Sequence, residues 1–334
     1  MPGGRPSRSA VHERLATEIR ELWERHGGLP SPAEAENIWK DIWRFEAHSS
    51  TALEGNTLVL REVGILLNQG RAVGNKELKD YLEVQGYASV AQWVYSQAVR
   101  RGDRANDSLL TVTEVRQVHY QAMSLVWEVS PHPQTTDSES PGSYRQHNIY
   151  VFGGGMTPPD FTEIPARVSD WVTSVNQIRS DPRPIAVAIA EHHAEFERIH
   201  PFLDGNGRTG RLLMNLTLVR LGYPPAIIQS RERNRYLETL DRVDHGDPGP
   251  LGELIARSVL DNLTRFVLPA IAGPDRIVSL DALVTSDFSL VALRAAAERG
   301  RLRALKGEDG RWRSSRLWVE QYALSRYRRV SPTE

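Results

Sequence analysis

Apolar residues recur at three- and four-residue spacing along most of the chain, the period of an amphipathic helix. Residues 11–26 place Leu15, Ile19, Leu22 and Trp23 on one stripe, and Gly27-Gly28 followed by Pro30 ends it. Ser31-Pro32 opens a second helix, with proline in its first turn and Ile38, Ile42 and Phe45 as the apolar face. Further helices are expected over 76–100, 113–127, 165–179, 185–200, 209–221, 231–243 and 251–268, joined by short connections rich in Gly, Pro, Asn and Asp. One stretch breaks this period. In GSYRQHNIYVFGGGMT, residues 142–157, the β-prone Ile149, Tyr150, Val151 and Phe152 adjoin a triple glycine, which reads as a short β-hairpin or flap. Near the end, an Ala-rich helix over 289–298 is broken by Gly300. A short, extended segment (302–306), a tight turn (308–310), and a lead (312–315) into a last helix over 316–329 follow. The expectation is a mostly helical body to about Pro269, a linker through Ala272-Gly273-Pro274 and a small domain beyond it.

Composition narrows the classes. The 334 residues are 40% hydrophobic and 25% charged, the balance of an ordinary globular protein with ample core. The absence of cysteine excludes a disulfide scaffold, a zinc–thiolate site and a cysteine nucleophile. No apolar run approaches the ~18 residues of a membrane span, and the polar start lacks a signal peptide's apolar segment. The chain therefore reads as cytoplasmic, with no membrane partner. The net charge of -1 names no partner by itself, but it is unevenly spread. From Arg294 onward there are eleven Lys/Arg against five Asp/Glu, which leaves -7 on the rest. A basic C-terminal unit on an acidic body suggests two functions.

The densest chemical signal is IHPFLDGNGRTGRLLMN, residues 199–215. Pro201 disfavours helical geometry at His200, so an apolar helix ends there. Gly205 and Gly207 make a tight loop whose backbone can approach a ligand closely. A new helix follows, and a glycine-rich loop feeding a helix N-terminus is an anion site. Arg208 and Arg211 are three apart on that helix and share a face suited to successive phosphates. Asp204 beside a phosphate cradle suits Mg²⁺, a hard cation preferring carboxylate, phosphate and water oxygens. His200 stands at the loop's mouth, where a neutral imidazole can take a hydroxyl proton. His192, His193 and His200 do not read as a metal centre, because the HExxH spacing is absent. Base, metal carboxylate, anion hole and paired arginines together describe phosphoryl or nucleotidyl transfer.

In full, the run His200-Pro201-Phe202-Leu203-Asp204-Gly205-Asn206-Gly207-Arg208-Thr209-Gly210-Arg211 resembles the signature of the AMP-transferring branch of the Fic (Fic/Doc) family, with no departure. The resemblance covers about residues 111–268. It implies the Fic-fold helical bundle with a β-hairpin flap, and transfer of AMP from ATP to a Ser, Thr or Tyr hydroxyl of a target protein. On that likeness His200 is the general base, Asp204 holds Mg²⁺, and Gly205, Asn206 and Gly207 bind phosphates. Arg208 takes the α/β region, Arg211 clamps the γ-phosphate, and Phe202 anchors the loop in the core. The flap residues Ile149, Tyr150, Val151 and Phe152 would dock an extended target segment by strand addition. Asn234 and Tyr236 fall where family members form part of the adenine pocket.

A second match lies upstream. Ser50-Thr51-Ala52-Leu53-Glu54-Gly55-Asn56 resembles the family's inhibitory motif, in the class that carries it on an N-terminal helix. A carboxylate reaching Arg211 would fill the γ-phosphate slot through a charge-assisted pair and misalign ATP. The same glutamate could instead orient water for the reverse, deAMPylating reaction. The implied organisation is an N-terminal helical region (1–110) with the motif at 50–55, a catalytic core (111–270) and a basic domain (275–334). That last domain looks like a winged helix or helix-turn-helix. Arg301, Arg303, Arg311, Arg313 and Arg316 could meet DNA phosphates there, while a module making protein contacts only is the alternative. A second copy of the chain is a further candidate partner. Two rival functions remain: another phosphotransfer on the same fold, and a DNA-binding regulator whose body only senses nucleotide.

Overall fold

The computed structural model describes residues 6–30, 36–98, 108–136, 138–149, 157–271, 273, 277–285, 287–307 and 310–327. It divides into two units, 1–260 and 261–334. The first is helical: α1 (Arg8–His26), α2 (Glu36–Leu53), α3 (Leu60–Gln69), α4 (Leu78–Ser96), α5 (Val112–Val129), α6 (Ile164–Asn176), α7 (Ile185–Ile199), α8 (Asn206–Arg220), α9 (Arg233–Asp244) and α10 (Gly249–Asn262). None of the helices is long and apolar enough to cross a membrane, among the described residues.

Local chemistry sets the ends. Ser7 accepts from Ala10 N–H at 3.2 Å to cap α1, and Gly27, left-handed at φ 74°, closes it. Thr111 and Glu114 form a reciprocal capping box at the start of α5. The centre of the bundle is α8, in which every residue but Gly207 is buried. It packs against α4, α5 and α7, while α2 lies against α4. A helix buried all round belongs in the middle, and this one carries three arginines, Arg208, Arg211 and Arg220, inward with it.

The helical expectation holds with two differences. Helix α3 falls in a stretch for which no element was expected. Its signals were present: Glu62 accepts from Val59 N–H at 2.9 Å, Val63 and Leu66 face inward, and Gly70 is a left-handed cap. Ten residues give too few turns for the period to stand out. Helix α8 starts at Asn206 rather than Thr209, because left-handed Gly205 (φ 76°) caps it inside the loop.

The second unit has the end of α10, a π-helical turn (Leu263–Val267) and α11 (Leu268–Ile271). Beyond them lie β1 (Val278–Ser279), α12 (Leu290–Glu298), β2 (Leu305–Lys306), β3 (Trp312–Ser314) and α13 (Arg316–Tyr327). The strands form an antiparallel sheet in the order β1-β3-β2, with Lys306 opposite Trp312 and Val278 opposite Ser314. Residues 312–315, expected as a lead into the helix, are thus mostly a central strand. Its partner β1 was unannounced because two residues carry no period. Leu280, Phe288, Leu293, Leu302 and Val319 form the core.

Candidate active site

The site is built where α7 ends and α8 begins. His200 has φ 48° and ψ 58°, and is the one non-glycine residue with positive φ among those described. Its Nδ1 lies 3.1 Å from Glu197 O. A carbonyl only accepts, so Nδ1 carries the proton and Nε2 is the bare nitrogen of the neutral ring. Burial holds the imidazole below its ordinary range, with Arg145 acting in the same direction. This is the tautomer and charge state of a general base.

Phe202 is fully buried and stacks on His119 at 3.7 Å, within 6° of parallel. His119 is a loop clamp that the sequence did not reveal. Gly142 N–H donates to its Nδ1 at 2.7 Å, so its Nε2–H donates to Asp204 O at 2.9 Å. Burial pushes its pKa down to about 4, which keeps that arrangement neutral. Asn206 departs from the phosphate-ligand expectation. Its side chain accepts from Phe202 N–H at 2.9 Å and donates to Phe202 O at 2.8 Å, so the amide is spent holding the loop closed. What Asn206 and Gly207 offer an anion is their backbone N–H, together with the rest of the first turn of α8.

Both signature arginines are buried and paired. Arg211 donates from Nε to Ser50 Oγ at 2.7 Å, and from Nη2 to Ser50 O at 3.0 Å and Glu54 Oε1 at 2.8 Å. The structure thus brings together two segments far apart in sequence, both named from the sequence alone. Glu54 lies over the loop itself: a Cβ built on Gly207 would stand 2.5 Å from Glu54 Oε1. Burial opposes ionisation of Glu54, but Arg211 and Arg208 outweigh it and hold the carboxyl below its usual range. Its side chain stays 37% exposed, so it can swing out without crossing the core.

Arg208 pairs with Glu83 of α4 and with Asp204 Oδ1 at 3.1 Å. Glu83 gives its other oxygen to Asn56 Nδ2 at 2.8 Å, two residues beyond Glu54. The loop carrying Glu54 therefore hangs on the same carboxylate that holds Arg208. Glu83 and Asn56 had no role in the sequence reading, since a pairing between α4 and α8 leaves no local pattern. Asp204 also accepts from Gly205 N–H through Oδ1 at 2.6 Å, and its second oxygen accepts nothing among the described residues.

Tyr236 does not present an open face for adenine. It is buried, and its hydroxyl lies 2.7 Å from His193 Nε2, with the rings stacked 5.9 Å apart. Asn234 is exposed on the first turn of α9, whose Arg233 donates to Leu53 O at 2.9 Å and so ties α9 to the end of α2. Ile149 is half-buried, while Tyr150, Val151 and Phe152 lie outside the described residues. No cluster of three or more metal-ligating side chains occurs among the described residues.

Both the sequence and the fold match known proteins. The Fic/DOC family model matches residues 109–218. The protein adenylyltransferase Fic of Drosophila willistoni is 30% identical over 244 residues, 72% of this chain and 45% of that protein. Its counterpart in Culex quinquefasciatus is 30% identical over 220 residues, 65% of this chain and 40% of that one. The chain thus spans less than half the length of these curated relatives. Among solved structures, a Fic domain containing signaling protein from Bacteroides thetaiotaomicron superposes with a TM-score of 0.62 at 25% identity, over 78% of this chain and 95% of that one. Fic-1 from C. elegans shares the fold at a TM-score of 0.61 and 22% identity, over 77% and 72% of the two chains.

Proposed function

From the Fic/DOC family domain that this chain carries over residues 109–218, we propose that it transfers AMP from ATP to a hydroxyl side chain of a target protein and that Glu54 holds the reaction in check. The observation that carries the reading is a neutral His200 with a bare Nε2, placed before a helix N-terminus that presents Arg208 and Arg211. His200 Nε2 takes the proton of the target hydroxyl as its oxygen attacks the α-phosphorus. The bond to the bridging oxygen breaks and pyrophosphate leaves, carrying the charge that the arginines and first-turn amides stabilise.

Mg²⁺ fits the donor present: Asp204 keeps one carboxylate oxygen that accepts nothing among the described residues, and a hard cation prefers carboxylate, phosphate and water oxygens. Bound at Asp204, it would neutralise phosphate charge. Glu54 occupies Arg211 in the position the γ-phosphate requires, so ATP that enters does so misaligned. The test is incubation with α-labelled ATP, comparing wild type, Glu54→Gly and His200→Ala, with mass spectrometry of every incubated protein, labelled or not. Label in Glu54→Gly with an added mass of AMP supports the reading; added phosphate alone would assign the rival phosphotransfer.

For the second unit the reading is duplex DNA binding by a winged-helix-like module. The observation favouring it is the placement of basic residues on and beside the β2–β3 hairpin, with Arg303 at 4.1 Å over the Trp318 ring and Lys306 at 5.8 Å over Trp312. Cations on and beside a small antiparallel strand pair suit a phosphate backbone.

A further inference from the structure

Arg145 is among the largest side chains fully withdrawn from solvent, at 1% exposure. A buried cation is costly unless its donors are satisfied, and an apolar side chain would fill the same volume more cheaply. Its partners are backbone carbonyls. Nε donates to His200 O at 3.0 Å, Nη1 to His147 O at 2.9 Å and Nη2 to Pro159 O at 2.6 Å. Its own backbone N–H donates to Pro201 O at 3.0 Å. The guanidinium fork reaches the three carbonyls at once, which a lysine ammonium on a flexible stem does not do.

The far ends of this bracket are themselves held. Glu139 accepts from Gln146 N–H at 2.7 Å and stands 3.1 Å from His147 Nδ1. Asn148 donates to Asp160 Oδ2 at 2.8 Å and accepts from Phe161 N–H at 2.9 Å. The near end grips the peptide that needs it. His200 is in the left-handed region, which disfavours residues with a side chain, and rotation of its peptide would carry the imidazole away from Glu197 O.

We propose that Arg145 is a positioning residue for His200: its guanidinium locks the left-handed peptide and so aims the imidazole into the loop. The proposal rests on the AMP-transfer reading for its kinetic consequence, but not for its structural one. In a Glu54→Gly background, Arg145→Met lowers kcat for self-labelling by about 10²-fold, the usual result of ~1 Å displacement at a reacting centre. ATP affinity stays unchanged, because the amides, Arg208 and Arg211 belong to α8. Arg145→Lys keeps the charge and part of the bracket, and gives an intermediate kcat.

A merely structural role would lower the melting temperature and ATP binding together, and wild-type kcat in Arg145→Lys with the fold intact overturns the proposal. The second readout needs no turnover. In ¹⁵N spectra of the full chain, the His200 Nδ1–H signal, protected by Glu197 O, weakens by exchange in Arg145→Lys. An unchanged signal there overturns the positioning role. A Glu54→Gly protein without transfer brings down the AMP-transfer reading alone, and the ¹⁵N result then decides for Arg145.

Discussion

The two units bury different things. The interior of the first holds ionisable groups, Glu46, His119, Arg145, His193, Arg208 and Arg211 among them, while among the described residues the buried polar ones of the second are Asn262, Thr264, Ser314 and Ser315. The core of the second is made of aliphatic residues and Phe288, and none of its charged residues is buried among those described. Burying a charge opposes folding unless a partner or a task compensates. In the first unit each buried cation near the loop has a named partner: Glu54 for Arg211, Glu83 for Arg208, and three carbonyls for Arg145. Chemistry is thus concentrated where the interior is charged. The second unit has no such cluster in its core among the described residues.

The widest gap between the units should open at His200. In a Glu54→Gly background, His200→Ala is expected to lower label transfer by about 10²–10⁴-fold, the scale of a general base. ATP binding, measured by calorimetry, should survive, since the anion loop and both arginines remain. Replacing Arg301 and Arg303 together should leave self-labelling unchanged. A loss there comparable to that of His200→Ala would erase the distinction.

Next in size is the Glu54–Arg211 contact. Glu54→Gly should raise turnover at saturating ATP by about 10²-fold, through realignment of the nucleotide rather than tighter binding. Arg211→Gln in the same protein should cancel the gain, because in the proposed reaction the freed guanidinium holds the γ-phosphate. Groups sharing one contact are non-additive, and the double-mutant cycle measures by how much. Additive effects would mean that Glu54 and Arg211 act separately despite their 2.8 Å approach.

The same contrast explains what could be read in the chain. Residues 200–211 were legible because one contiguous turn of loop and helix holds base, carboxylate, glycines and arginines, so spacing alone records the geometry. Ser50 and Glu54 were legible only through likeness to a motif, and their meeting with Arg211 bridges 161 and 157 residues. Arg145, His119 and Glu83 act across 55, 85 and 125 residues on groups they do not resemble, and local period carries no trace of that. Tyr236 and Asn206 show the opposite case. The family resemblance implied contact with a ligand, and in the structure the nearest partners, His193 and Phe202, engage their polar atoms.

Buried ionisable groups should also leave a mark on acid stability. Burial lowers His119 to about 4 and His193 to about 3, so the stability they contribute is full above their unfolded value of 6.5 and is lost as pH falls. Burial raises Glu46 and Glu197 to about 7, so their contribution is full below the unfolded 4.5 and is lost as pH rises. Acidifying from pH 7 to 5 therefore costs through the histidines and gains through the glutamates. Each fully shifted group changes stability by about 1.4 kcal/mol per pH unit, and the two pairs largely offset. Glu46→Gln removes one gain and should tilt the balance by about 2 kcal/mol over that interval, seen in urea midpoints. A parallel pH dependence in wild type and Glu46→Gln would show that Glu46 keeps an ordinary pKa, without a proton to lose.

The smallest expected effect belongs to the second unit, and it tests whether the basic surface is for attachment to nucleic acid at all. If Arg301 meets a backbone phosphate, binding of the full chain to a duplex releases about one counterion through that residue, so Arg301→Ala should flatten the log–log salt slope by about 1. Between 50 and 200 mM salt that is roughly a fourfold difference in how affinity falls. The change should be the same for unrelated duplex sequences, because a phosphate contact carries no base information. Arg303 gives a useful contrast, since its guanidinium already lies over Trp318 and its loss would disturb packing as well as charge. Its substitution should therefore weaken binding and lower the melting temperature together, while Arg301→Ala touches the slope alone. Absence of duplex binding at low salt, or affinity indifferent to salt, would leave the second unit as a surface for another protein.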